Sequence, residues 1–233
     1  MIKHHDFNTE WWGQEVGIVT DPAFFNLDER SRLVSLEKFA WVECVLPVSK
    51  LPNRQKLANS GFFYIDTQVR FRIDLTRVRP SECALTLSLI PASQDPFEVP
   101  ADELRPFLHE RFYVLPGVSS AKVSQRYARW ASNLLRDHPQ TCYRIFSKDS
   151  VQGWFLSQPH SAGLELTLAM LSTQATTSGF DLYARALAGY AAANFRLGFA
   201  SFSVSNSPVH NIYANLGARF LEPRECWIWI RGA

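Results

Sequence analysis

Three groups of residues in this chain have the types and spacing to do chemistry. Gln174-Ala175-Thr176-Thr177-Ser178-Gly179 forms a short polar loop between an apolar run (163–173, GLELTLAMLST) and a stretch of good helix formers (180–198). A helix start of this kind turns backbone N–H groups and the positive end of the helix dipole toward one point, which suits a diphosphate. Further on, SNSPVHNIYANLGARF (205–220) places Asn206 and Pro208 at a helix start and Gly217 at its end, with Tyr213 between them. A phenol, with an ordinary pKa of about 10, is protonated at neutral pH and can give its proton to a departing anion. Asp66, in GFFYIDTQV (61–69), is a carboxylate in an otherwise apolar strand. Burial there would raise its pKa and suit it to act as a base, and Glu10 is the second candidate. Each group also has a plainer reading: a helix cap, a packed ring, a solvated edge-strand carboxylate.

The elements that must position these groups follow from periodicity. The first stretch reads as strand (16–20), helix (29–41, with Leu33, Leu36 and Ala40 on one side), strand (42–48), helix (51–60, stopped by Gly61) and a long strand (62–75). The proline-rich stretch 76–100 carries one apolar strand over 83–90, and the joint between two subdomains is expected near residue 80. Helices follow over 102–112 and 119–138, the second with Val123, Tyr127, Trp130, Ala131 and Leu134 as its apolar stripe. A hairpin around Lys148-Asp149-Ser150 leads to the strand over 163–173, a helix over 179–197, the Tyr213 helix and a final strand, CWIWIRG (226–232). Strand–helix–strand alternation of this kind indicates an α/β fold.

Composition narrows the partners. The chain has 233 residues, 46% of them hydrophobic, enough for a substantial core. Lys+Arg 24 against Asp+Glu 22 leaves a formal charge of +2, too balanced for a nucleic-acid footprint. No apolar run approaches the roughly 18 residues of a membrane span, so no membrane insertion is expected. The start, MIKHHDFNTEWWG, lacks a signal-peptide profile, which points to the cytoplasm. Cys44, Cys83, Cys142 and Cys226 are too widely spaced for a zinc pattern, so reduced thiols and no metal are expected. His4 and His5 read as a chain terminus rather than as ligands.

Gln174 and Gly179 match the Gln/Arg-x-x-Gly-x-Gly/Ala loop of the Gcn5-related N-acetyltransferase (GNAT) family, with Thr177 at the first glycine. Asn206, Tyr213, Gly217 and Phe220 match its later segment. Over most of its length the chain resembles one branch of that family, the dTDP-fucosamine acetyltransferases. The marks are DFNTEWWG (6–13), LANSGFFYIDTQVRFRI (57–73), HERFY (109–113) and NIYANLGARF (211–220) followed by a Trp-rich strand.

The resemblance implies a GNAT fold, a mixed central sheet flanked by helices. A smaller N-terminal α/β subdomain (1–80) would contribute to the substrate site, and residues 81–233 would form the acetyl-CoA-binding domain. It implies acetyl transfer from acetyl-CoA to the amine of a dTDP-linked 4-amino-4,6-dideoxyhexose, for polysaccharide or glycan synthesis. Tyr213 would be the acid and Asp66 the base. Ala169, Met170 and Leu171, the loop Gln174, Ala175, Thr176, Thr177, Ser178, Gly179 and Phe180, and Asn206 would hold acetyl-CoA. Glu10, Trp11, Trp12, His109 and Arg111 would meet the nucleotide-sugar substrate. Two departures are expected to matter: a positive φ at Thr177 would be costly, and the bulky Phe180 leaves the acyl length open. Another amine or a longer acyl group, or a catalytically silent module binding CoA or a partner, fits the same segments. The Trp-rich final strand suits internal packing or pairing across a homodimer.

Overall fold

Strand alternation and helical stripes resolve into one mixed sheet with helices on both faces. The computed structural model describes residues 1–104 and 110–232. In chain order its elements are β1 (Ile2–His4), α1 (Asp6–Trp12), β2 (Val16–Val19), α2 (Glu29–Leu36), β3 (Trp41–Pro47), α3 (Arg54–Asn59), β4 (Phe63–Asp74), α4 (Glu82–Leu85) and β5 (Ser88–Pro91). The second stretch adds α5 (Ser120–Asp137), β6 (Cys142–Ser147), β7 (Ser150–His160), β8 (Gly163–Leu171), α6 (Gly179–Ala192), β9 (Leu197–Ser203), α7 (Ser207–Asn215), β10 (Arg219–Phe220) and β11 (Arg224–Ile230).

Among the described residues the strand order is β1-β2-β3-β11-β4-β9-β8-β7-β6-β5, with β10 added along β4. β2–β3 and β8–β9 are parallel. Residues 1–80 and 81–233 thus contribute to a single sheet. β11 lies between β3 and β4, its Cys226, Trp227, Ile228 and Ile230 buried, so it has no free edge to offer a second chain.

Alternation along each strand sends side chains to two different layers. Phe71 and Ile73 of β4, with Leu164 and Leu166 of β8, pack against α6 and α7. Trp227 of β11 joins the Phe24–Phe25–Phe62 cluster under α2 and α3 on that same face. On the opposite face Leu156, Leu168 and Trp154 meet the stripe of α5. There Trp41 and Ile228 meet Trp11 and Phe112.

Local chemistry explains where the elements differ from the expected spans. α2 stops at Leu36, leaving Leu33 exposed and Ala40 outside the helix, because the chain must turn at Phe39 to enter β3. The strand expected over 83–90 begins instead as α4, since the Ser81 hydroxyl caps it by accepting from Ala84 N–H at 3.0 Å. Only Ser88–Pro91 is strand. α6 ends at Ala192 because Asn194 adopts a positive φ of 68°. The helix expected over 102–112 lies partly outside the described residues; beyond them Arg111–Val114 is a 3₁₀ turn. The sequence pattern left α1 and β1 without an assignment.

One irregularity shapes the site. Opposite β7, Leu156 faces Leu168 while Ser157 faces Leu166, so Thr167 is an extra residue, a β-bulge. The parallel pairing of β8 with β9 covers only Leu164↔Gly198 and Glu165↔Phe199. Beyond the bulge the two strands part.

Candidate active site

The gap between β8 and β9 opens into a cavity of about 720 Å³ that reaches both faces of the sheet. Tyr183, Pro208, Val209 and Tyr213 line it from the α6–α7 face, and Glu110, Arg111, Arg126, Tyr127 and Trp130 from the α5 face. Asp66, Glu165, Ala169 and Asn206 line it along the sheet and at the head of α7. Tyr213, Asp66, Arg111, Ala169 and Asn206, 30 or more residues apart in several pairs, are thereby brought to one cavity.

Tyr213 is placed by α7 and held by rings. Asn206 caps the helix, its side chain accepting from Val209 N–H at 3.4 Å. The Tyr213 ring lies 4.1 Å from Phe71, 5.3 Å from Tyr183 and 6.1 Å from Phe202, centroid to centroid. Its hydroxyl makes no hydrogen bond among the described residues, and the side chain, 3% exposed, lines the cavity. Burial, then the neighbouring Tyr183 and Tyr190, raises its pKa well above the ordinary phenol value, so it holds its proton at neutral pH.

Two carboxylates face the same space. Asp66 is buried at 8% exposure and accepts from the Ser203 hydroxyl at 2.8 Å. Burial raises its pKa, opposed by the Ser203 bond and by Arg111. Glu165, beside the bulge, is also raised by burial, with His160, Arg70 and Arg224 opposing. Sequence reasoning missed Glu165. Its only signal was an acidic residue inside the apolar run GLELTL, which alternation alone makes unremarkable.

The loop before α6 is braced from inside. Gln152 on β7, wholly buried, accepts through its side-chain carbonyl from the N–H of Thr176 at 2.8 Å and of Thr177 at 3.0 Å. Thr177 has no positive φ, so the expected strain is absent. The Ser178 hydroxyl caps the helix, accepting from Asp181 N–H at 3.0 Å. The N–H groups of Ser178, Gly179 and Phe180 have no partner among the described residues. A Cβ on Gly179 would come within 3.2 Å of Ile212, so glycine lets α7 approach the head of α6. Ser172 N–H donates to Gln152 O at 2.9 Å. Antiparallel alternation then turns the amides of Ala169 and Leu171 away from β7, toward the gap, and that of Met170 toward β7. Gln174 and Ala175 N–H groups bond within the loop, to Ser172.

The expected substrate residues separate. Arg111 lines the cavity, its Nε donating to Glu43 at 2.9 Å. Burial, the largest influence, works against its charge, but Glu43, Cys226 and Glu110 together outweigh it and leave its pKa raised. Trp11 packs against Phe112 and donates to Lys122 O at 2.7 Å, beneath rather than along the cavity. Trp12 lines a separate cleft with Gln14 and Lys122, and Glu10 pairs with Arg129 on the surface at 3.1 Å. His109 lies outside the described residues.

Among the described residues no group of three His, Cys, Asp or Glu side chains is placed to hold a metal ion, and no helix is long and apolar enough to cross a membrane. The cysteines are free; burial pushes Cys44 and Cys226 up to about 12 and Cys142 to about 11, which makes them poor nucleophiles.

No family model and no curated protein matches the sequence. Solved structures match in fold. A GCN5-related N-acetyltransferase from Sphaerobacter thermophilus superposes with TM-score 0.60 at 12% identity, covering 98% of this chain and 76% of that one. One from Kribbella flavida gives TM-score 0.54 at 11% identity, covering 94% and 82%. A tandem GNAT protein from the clavulanic acid biosynthesis pathway gives 0.53 at 14%, covering 95% and 77%. The chain has the GNAT fold.

Proposed function

We propose that the chain is an acyl-CoA-dependent N-acetyltransferase whose acceptor is the amine of a nucleotide-linked amino sugar of the dTDP-4-amino-4,6-dideoxyhexose type. The observation that carries acyl transfer is the gap at Thr167: one cavity meets a protonated phenol from one face and, along its sheet wall, the buried Asp66 and half-buried Glu165. Support for the sugar nucleotide comes from the sequence segments DFNTEWWG, LANSGFFYIDTQVRFRI and NIYANLGARF.

The residues fit the donor. Three consecutive amides without partners among the described residues, Ser178 to Phe180, stand at the head of α6 where a diphosphate is favoured. Acetyl-CoA, when bound there, supplies an acyl group activated as a thioester. The Ala169 and Leu171 N–H groups orient a carbonyl oxygen by hydrogen bonding. Tyr213 holds a proton at its hydroxyl for a departing thiolate. Asp66 takes the proton of the attacking amine at its carboxylate, and Glu165 holds that amine in place.

A second possibility, a silent CoA- or partner-binding module, is favoured by one feature. Asp181 adds a carboxylate to the first turn of α6, near where a diphosphate would sit. Thermal shift with acetyl-CoA and CoA, then thiol release with dTDP-4-amino-4,6-dideoxygalactose, separates the two. Stabilisation without thiol release from any amine would leave only the binding module.

A further inference from the structure

Arg126 is a buried cation that forms no ion pair among the described residues. It is 9% exposed, and its Nε donates to Asn8 Oδ1 at 3.1 Å. No carboxylate lies within ion-pair distance among the described residues, and its terminal nitrogens make no hydrogen bond there. Its guanidinium instead sits 4.6 Å from the Phe112 ring, 5.1 Å from Phe7, and 5.7 Å from both Trp11 and Trp130. Rings attract a cation but cannot fill its hydrogen-bonding fork.

The neighbouring charges are already committed. Arg111 is bound to Glu43 at 2.9 Å, and Glu110 accepts from the Tyr127 hydroxyl. What remains open to Arg126 is the cavity, whose wall also carries Asp66 and Glu165. Burial, then Arg111, lowers its pKa, with the more distant charges of Glu110 and Glu43 opposing. A buried charge is favourable only once paired, and guanidinium pairs best with a planar or tetrahedral oxyanion.

We propose that Arg126 is the anion anchor of the acceptor chamber: the acceptor is dipolar, giving a phosphate or carboxylate group to Arg126 while its amine faces Asp66 and Glu165. This rests on the acyl-transfer function above for the identity of the amine, but the anion site is testable without it. It makes Arg126, rather than the Glu43-bound Arg111, the residue that selects for acceptor charge.

The test is titration of the full chain with inorganic pyrophosphate, dTDP, acetate and uncharged thymidine, with and without saturating CoA, by calorimetry and tryptophan fluorescence. Pyrophosphate or acetate is expected to bind and to change the emission of Trp11 and Trp130, and dTDP to bind about tenfold or more tightly than thymidine. Preference for pyrophosphate assigns a phosphate-bearing acceptor; preference for acetate assigns a carboxylate. Arg126→Gln should lose this binding at least tenfold and Arg126→Lys only part of it, with CoA affinity unchanged in both. In turnover, Arg126→Gln should raise the acceptor KM by a similar factor and leave kcat within about twofold. Wild-type anion binding by a folded Arg126→Gln would overturn the proposal. Should that variant not fold, the absence of any fluorescence response to either anion in the wild type would overturn it. Anion binding that depends on Arg126 in a chain that ignores acetyl-CoA would remove the acyl-transfer function and leave the anchor standing.

Discussion

The side-chain carbonyl of Gln152 accepts from the N–H of Thr177 at 3.0 Å, across a gap of 25 residues in sequence. Together with its bond to Thr176, this fixes the backbone of the loop before α6 from the protein interior, at the position where the family's loop pattern has a glycine. Threonine is tolerated because the loop takes its shape from a neighbouring strand and not from a left-handed residue.

Replacing Gln152 with Leu should therefore leave two loop amides unpaired. A loss of about 1–3 kcal/mol in chemical denaturation is expected, with weakened CoA binding by calorimetry. Thr177→Gly should not tighten CoA binding, because no positive φ is waiting to be relieved; a marked gain in affinity would contradict the bracing role.

Asp66→Asn should separate stability from activity. Burial holds the folded carboxyl above its ordinary value of 3.8, so its contribution to stability is present at low pH. That contribution is lost as pH rises through the folded pKa. The variant should melt about 2 °C higher than wild type at pH 7, the difference vanishing toward pH 4. Its turnover should fall by about 10²–10⁴-fold.

Glu165 lines the same cavity and competes for the role of base, and pH profiles distinguish the two. The acid limb of kcat/KM should sit above the ordinary carboxylate range and disappear in Asp66→Asn. In Glu165→Gln the limb should persist while the acceptor KM rises. The reverse pattern would transfer the base to Glu165.

Asp181 places a negative charge in the first turn of α6, held there by the Ser178 and Ser81 hydroxyls at 2.7 and 2.6 Å. An asparagine keeps one of these two bonds through its carbonyl oxygen, turns its NH2 toward the other hydroxyl as a donor, and removes the repulsion of a bound diphosphate. Asp181→Asn should tighten CoA binding by about 3–10-fold at low salt, with the gain shrinking as salt screens the charge.

How much of this was legible in the sequence depends on the range of the interaction. The α5 stripe, the hairpin at Lys148 and the Asn206-to-Gly217 helix are local patterns and survive intact in the fold. The loop cap at Ser178 is local too. The insertion of β11 between β3 and β4 is not, because nothing in CWIWIRG names its partners. The Thr167 bulge exists only in register with β7, and the brace at Gln152 and the bond between Arg126 and Asn8, 118 residues apart, exist only after folding. Glu10, Trp11 and Trp12 looked like substrate residues by type; packing sent the first to the surface, the second into a cluster of rings and the third to a separate cleft.

On the function proposed above, the gap between β8 and β9 delivers a thioester to Tyr213. A crystal structure with CoA tests it most directly. The prediction is a diphosphate on the Ser178–Phe180 amides and a sulfur within hydrogen-bond reach of the Tyr213 hydroxyl, about 3–3.5 Å. A CoA bound elsewhere, or a sulfur on the far side of the sheet from that hydroxyl, would contradict it.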